Sequence, residues 1–225
     1  MTAHSPSPSD SGSPSPDRRA RQRERRRAEL YDVAVALFVE KTYEGTTMED
    51  IADRADVARA TVFNHFPRKA AFLQEWATRR REIALNAAYA GGTESSAREL
   101  LVRFFSEIGA LSDASRPESV AVILGSVRLA ETWQRSPLAV EFAGIIAQAQ
   151  QRGEIDPAVN ADRAGLVLAS SYYVILTAWA SEEPAPFDLT EEMVGTVDLI
   201  LNGVLHRIDR QAERAGQDGR DRLNT

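Results

Sequence analysis

The amino-acid sequence predicts an all-α protein, with a small amino-terminal helix-turn-helix domain of three helices joined to a larger helical domain. Three observations predict it. Apolar residues recur at the i, i+3, i+4 spacing of one helix face from Leu30 onward. Breakers such as "GGTESS", "SDASRPES", "RSP", "RGEIDP" and "SEEPAPFD" separate these segments at helix-length intervals. No alternating apolar and polar run stands between turn signals, and no internal repeat is found.

Composition narrows the function before any motif does. The 225 residues are 43% hydrophobic, enough to bury a sizeable core. Cysteine is absent, which removes disulfides, thiolate metal sites and a cysteine nucleophile. His4, His65 and His206 are too scattered to suggest a metal cluster, and no cofactor is implied. The first residues lack the basic-then-apolar order of a signal peptide, so the chain reads as cytoplasmic. The uncharged stretch 164–181 contains Ser170, Ser171 and Thr177 and is flanked by Asp162, Arg163 and Glu182. A membrane span needs about 20 predominantly apolar residues, so a helix buried on all sides is expected there and no membrane partner. Net charge is −6, unevenly spread: residues 17–82 hold 15 Lys/Arg against 12 Asp/Glu, and residues 83–225 hold 12 against 20. A mildly basic amino-terminal part on an acidic body keeps nucleic acid open as a partner.

Taken in order, residues 1–17 form a Ser/Pro-rich tail with almost nothing to bury and are expected to be disordered. Seven arginines follow within residues 18–27. They are either a solvated leader to the first helix or an arm that follows phosphates or enters a minor groove. Leu30, Tyr31, Ala34, Leu37 and Phe38 then share one helical face. After the turn "TYEGTT", Thr46 with Glu49 or Thr47 with Asp50 has the spacing of a capping box and opens a second short helix. A third follows near 59–65, and Pro67 is expected to open a fourth. Further helices are expected near 95–111, 117–134, 137–151, 161–181 and 189–213, with a flexible tail at 214–225. The domains are therefore read as 18–68 and 69–213.

Two short helices joined by a tight turn make a helix-turn-helix, whose second helix lies in the DNA major groove in proteins of that kind. At about 100° per residue, Val62 and Phe66 point inward with Val57, while Ala60, Thr61 and Asn64 point away. Arg59 starts the helix. Arginine can donate two bonds to guanine, asparagine can pair with adenine, and the methyl groups of Thr61 and Ala60 suit the thymine methyl. His65 and Lys69 fall at or just past the helix end, where side chains meet phosphates, and the capped helix start at Thr47 could hold another. Catalysis by His65 lacks a partner, because neighbouring Asn64 and Phe66 are not acid-base groups. No phosphate loop or nucleophile-base pair appears elsewhere, so no catalytic residue and no metal ligand is assigned.

The segment "TTMEDIADRADVARATVFNHFPRKAAFL" resembles the DNA-binding domain of the TetR (tetracycline repressor) family of bacterial transcription regulators. The matching positions are Thr46, Thr47, Ile51, Ala52, Val57, Thr61, Val62, Phe63, His65, Phe66, Lys69 and Leu73. The resemblance implies a dimeric, ligand-responsive regulator of operator DNA. It also marks three departures: Phe63 stands where the family usually has Tyr, Asp56 where a turn Gly is usual, and Thr42 where a helix-ending Gly is common. Phe63 then acts by packing or apolar contact rather than through a phenolic hydroxyl.

In the larger domain, the helix at 161–181 and the last helix, with Met193, Val197, Ile200, Leu201, Val204 and Ile208 at helical spacing, are expected to form a homodimer interface of four helices. Phe104, Phe105, Trp133 and Tyr172 lie on helices that the family wraps around an effector pocket. Arg128 interrupts an apolar segment and is added as a ligand contact. The function expected is a repressor released from double-stranded operator DNA by a small, largely apolar effector. The alternative is a helical ligand-binding or protein-interaction module without specific DNA readout.

Overall fold

A computed structural model describes residues 16–92, 95–126 and 137–203. Every regular element among them is α-helical: α1 (Pro16–Gly45), α2 (Met48–Arg54), α3 (Arg59–His65), α4 (Ala70–Tyr89), α5 (Ala97–Ala114), α6 (Arg116–Ser126), α7 (Pro137–Gln151), α8 (Ala161–Ala180) and α9 (Leu189–Asn202). The expected elements are found in the expected order. Pro67 does not open α4 but stands in the turn before it, and helix begins at Ala70. The start of α1 is a second correction. Pro16 and Asp17, assigned to the disordered tail, already belong to the helix, because a proline suits a first helical position and an acid suits the first turn. Residues 1–15, the carboxyl-terminal ends expected for the helices at 117–134 and 189–213, and the tail from 214 lie outside the described residues.

The chain divides into two compact units, the first comprising Met1–Glu82, Leu111–Thr132 and Ala180–Ala185, the second Ile83–Ala110, Trp133–Trp179 and Pro186–Thr225. In the first, Leu30, Ala34, Leu37 and Phe38 of α1 are buried with Ile51, Val62, Phe66 and Phe72. Phe66 stacks on Phe72 at 3.9 Å between ring centroids. The carboxyl end of α1 lies against α6, where a side chain on Gly125 would collide with the Tyr43 ring. α1 breaks at Thr42, which has φ 67° and ψ 163°. That region is populated almost only by glycine, and a β-branched residue there is strained.

The second unit is built around rings. Phe104 meets Phe142 edge to face at 5.2 Å, Phe105 packs on both, and Tyr172 lies 6.2 Å from Phe105. α8 crosses α7 at Gly165, where a Cβ would fall 2.4 Å from the Ala139 carbonyl oxygen, so the two backbones touch. α9 starts at Asp188, whose carboxylate accepts the Glu191 amide at 2.8 Å, as an N-cap should.

α8 is not buried on all sides as expected. Leu168, Ala169, Tyr172, Leu176 and Trp179 are buried, whereas Leu166, Val167, Ser170 and Val174 face out, Val174 with 66% of its surface open. α9 shows a related correction. Met193 and Val197, expected at an interface, are 1% exposed and complete the core, while Leu199 on the other side is 53% exposed and a Cβ added to Gly195 would meet nothing within 4 Å. No helix among the described residues is long and apolar enough to cross a membrane.

Candidate nucleic-acid interface

The start of α2 is fixed by Thr47, whose hydroxyl accepts the Asp50 amide at 3.0 Å while the Asp50 carboxylate accepts the Thr47 amide at 2.8 Å. This is the second of the two capping boxes the sequence offered. Thr46 is instead fully buried, its hydroxyl donating to the Leu37 and Thr42 carbonyls. Hydrogen bonds from Lys41, then from Thr47, hold the Asp50 carboxyl far below the usual carboxylate range. The anion position at the α2 start is thus filled by the chain's own carboxylate, and the Thr47 hydroxyl is engaged with it at 2.6 Å.

The turn between α2 and α3 is a Schellman motif. The Val57 amide donates to the Ala52 carbonyl at 3.0 Å and the Asp56 amide to the Asp53 carbonyl at 3.2 Å. Its geometry requires a left-handed residue, and Asp56 supplies it with φ 51°. Asp is among the least penalised L-residues there. Phe66 ends α3 with its amide on the Val62 carbonyl at 2.8 Å.

Between those stops the faces of α3 separate as the sequence predicts. Val62 and Phe66 are fully buried; Arg59, Ala60, Phe63 and Asn64 are exposed, and Thr61 and His65 are half-buried. Arg59 pairs with Glu49 on α2 and lies 5.3 Å from the centre of the Phe63 ring. Phe63 is therefore an apolar platform beneath a guanidinium. Burial first, then the guanidinium groups of Arg23, Arg27 and Arg26, lower the pKa of the His65 imidazole, with Glu24 opposing. The ring is neutral near pH 7 and has one N–H to donate.

Two cations behave differently from the sequence reading. Lys69 directs its ammonium to the Tyr43 and Thr46 carbonyls at 2.6 and 2.8 Å and over the Tyr43 ring, so it closes the turn that carries Thr47. Arg27, read only as part of the arginine run, donates to the His65 carbonyl at 2.5 Å and to Glu75 at 2.8 Å, and its guanidinium lies 4.2 Å from the Phe66 ring centre. It fastens the end of α3 to α1 and α4. A signal for this was present: at about 100° per residue, Arg27 continues the stripe of Leu30, Ala34, Leu37 and Phe38.

Of the proposed effector contacts, Phe104, Phe105 and Tyr172 come together in the aromatic cluster of the second unit and are buried. Arg128 and Trp133 lie outside the described residues. No group of three or more His, Asp or Glu side chains placed to hold a metal ion occurs among the described residues.

A short helix, a left-handed turn and a second short helix with a sealed inner face and an open outer one define the class: a helix-turn-helix domain. Residues 30–76 match the family described as bacterial regulatory proteins, tetR family. Over 49 residues the chain is 39% identical to the HTH-type transcriptional repressor KstR2 of Rhodococcus jostii, a match covering 22% of this chain and 24% of that protein. It is 36% identical over 47 residues to the negative transcriptional regulator IcaR of the icaADBC biofilm operon in Staphylococcus aureus, covering 21% of this chain and 25% of IcaR. These matches thus span about a quarter of either curated relative. Likeness in fold reaches further. The Thermus thermophilus FadR structure, a TetR family repressor in complex with lauroyl-CoA, superposes with a TM-score of 0.63 at 26% identity, over 80% of this chain and 96% of that one. Bacillus subtilis FadR in complex with stearoyl-CoA gives 0.62 at 18% identity over 79% and 99%, which speaks for the fold alone. Residues 30–76 thus resemble the tetR-family domain, and the fold of the chain resembles that of a solved tetR-family repressor.

Proposed function

We propose that this protein is a dimeric repressor that binds operator DNA through α3 and is released by a small, largely apolar effector. The carrying observation is the split of α3 into a fully buried side, Val62 and Phe66, and an open side presenting Arg59, Ala60, Thr61 and Asn64. In this reading Asn64 and Arg59 address base edges, Thr61 and Ala60 make apolar contacts, and Phe63 supports Arg59. His65 donates to a phosphate, while Thr47 and Lys69 act chiefly by shaping the α2 start that meets the backbone. Two chains, joined through the outward apolar edge of α8 and α9, place two copies of α3 at successive half-sites.

The effector is proposed to enter the second unit beside Phe104, Phe105 and Tyr172. The lauroyl-CoA complex of a related fold supports an acyl-chain-like apolar ligand. α4 contributes residues to both units, so a ligand that favours one placement of α4 shifts the population of DNA-competent dimers. The test is selection of duplexes from a random library, followed by release with acyl thioesters. A two-fold symmetric site is expected, with Asn64→Ala losing about 1–3 kcal/mol at one or two base positions only. Failure to enrich any symmetric site at moderate salt would favour a ligand-binding module without DNA readout, a reading to which the Glu49 carboxylate beside Arg59 lends itself.

A further inference from the structure

We propose that the amino-terminal half of α1 is a second DNA-binding element, a rigid helix whose Arg19 and Arg23 hold backbone phosphates of duplex DNA flanking the sequence that α3 reads. The inference rests on the DNA reading above and extends it to a surface outside the helix-turn-helix.

The arginine run is helical from its first residue, since α1 begins at Pro16. At about 100° per residue, Arg19, Arg23, Arg26 and Arg27 fall within one arc of about 100°, and no acid of residues 17–29 shares it. Asp17, Glu24 and Glu29 lie outside it, and two of them meet other arginines: Arg21 pairs with Asp17 and Arg25 with Glu29. Arg26 also reaches Glu29. Among the described residues neither Arg19 nor Arg23 forms an ion pair, and both are exposed. Within the stripe Arg26 and Arg27 are paired, with Glu29 and Glu75, which leaves Arg19 and Arg23 as its exposed cations outside any ion pair among the described residues.

The direction of that stripe is fixed by Arg27. It prolongs the face on which Leu30, Ala34, Leu37 and Phe38 are buried, and Arg27 itself grips the carbonyl of His65 at the end of α3. Arg23 and Arg26 lie near enough to act on the His65 ring. One face of α1 thus packs on the helix-turn-helix as far as the phosphate-facing end of α3 and then projects beyond it coated with arginine. With a rise of about 1.5 Å per residue, Arg19 stands about 12 Å past Arg27, or roughly three to four base pairs of duplex. A helix holds these groups in place without the ordering cost that a flexible arm bears on binding.

The experiment uses the full chain and the duplex it enriches from a random library, prepared in two lengths: the core of base pairs that the selection specifies, and that core extended by about 10 base pairs on each side. Affinities are measured by anisotropy across a KCl series. Each phosphate contact contributes about 0.9 to the slope of log affinity against log salt, so losing two flattens the slope by about 1.8 per protomer. Between about 50 and about 200 mM KCl the parent's affinity then falls about 12-fold more per protomer, or about 150-fold more for the dimer on its symmetric site, than that of the Arg19→Gln, Arg23→Gln double variant. This difference is expected on the extended duplex and not on the core. The Arg18→Gln, Arg25→Gln pair removes the same charge from the other side of the helix and should keep the parent's slope. Equal flattening by both pairs, or a parent that gains nothing from the flanks, overturns the proposal and leaves DNA reading by α3 intact. A chain that binds neither duplex overturns that reading and this inference with it.

Discussion

Asp56 offers the sharpest test of how the turn is held. It sits at φ 51° at the left-handed position of the Schellman motif between α2 and α3. An L-residue there costs roughly 1–2 kcal/mol because its Cβ crowds the following carbonyl, and Asp somewhat less because its carboxylate can bond locally. Asp56→Gly removes the Cβ and should stabilise the first unit by about 0.5–1 kcal/mol, although glycine's greater freedom in the unfolded chain offsets part of the gain. Asp56→Ala keeps the Cβ without the polar compensation and should destabilise by a similar amount, giving a Gly-to-Ala span of about 1–2 kcal/mol. Each kcal/mol is about fivefold in an opening equilibrium. Amide hydrogen exchange over residues 48–66 reads it directly: the α2 and α3 amides should slow in the Gly variant and speed up in the Ala variant. Asp56→Asn separates charge from backbone, since it tolerates the left-handed state but removes an acid. A unit charge at about 10 Å in water is worth about 0.4 kcal/mol, so Asn and Gly should both raise DNA affinity about twofold. If Ala protected α2 and α3 as well as Gly does, the position would not be left-handed, and the account of this turn would be wrong.

The other predictions use the same unit and its neighbour. Thr42→Gly relieves a backbone at φ 67°, ψ 163° but gives up the hydroxyl bond from the Gly45 amide; a net gain of about 1 kcal/mol in urea unfolding is expected. Arg27→Met should cost about 1–2 kcal/mol in the same assay. Glu75 explains how that loss varies with pH: burial pushes its carboxyl up, but hydrogen bonds from Arg27 and Arg79 more than reverse this. A depressed carboxylate contributes stability above its unfolded pKa and loses it as pH falls through the folded one, so the gap between parent and variant should narrow in acid to the part held by the His65 carbonyl and the Phe66 ring. His65 acts in the same direction at higher pH, because its folded pKa too is lowered, by burial and by Arg23, Arg27 and Arg26. The neutral ring is favoured by the fold, so stability is lost as pH drops below about 6.5, and His65→Gln should remove that part of the decline. Val174→Glu on the exposed edge of α8 should change unfolding by no more than about 0.5 kcal/mol yet yield a monomer by light scattering; an unchanged dimer would remove α8 from the interface.

What the sequence made legible, and what it hid, follows from the range of the forces involved. α2 and α3 could be placed closely because their signals are local: Thr47 and Asp50 three residues apart cap one helix, and the spacing of Val62 and Phe66 fixes which side of the other is sealed. Local rules could not choose between Thr46 and Thr47, since the choice depends on the Leu37 carbonyl, nine residues away, taking the Thr46 hydroxyl. Lys69 looked like a phosphate ligand because a basic residue before a helix suits an anion. Its ammonium instead meets two carbonyls of a turn more than twenty residues upstream, which no spacing rule could foresee. α8 and α9 show the converse difficulty: a helix apolar all round says that both sides are covered without saying by what. Met193 and Val197 went to the core, and the edge carrying Val174 and Leu199 was left open. Arg27 is the instructive middle case. Composition presents it as one of seven equivalent charges, yet its phase on the α1 stripe already set it apart, because a cation on a buried stripe needs an acceptor and a ring, and finds them at His65, Glu75 and Phe66. Periodicity applied to charged residues, not only to apolar ones, therefore separates an arginine that builds the domain from those beside it that remain open to a partner.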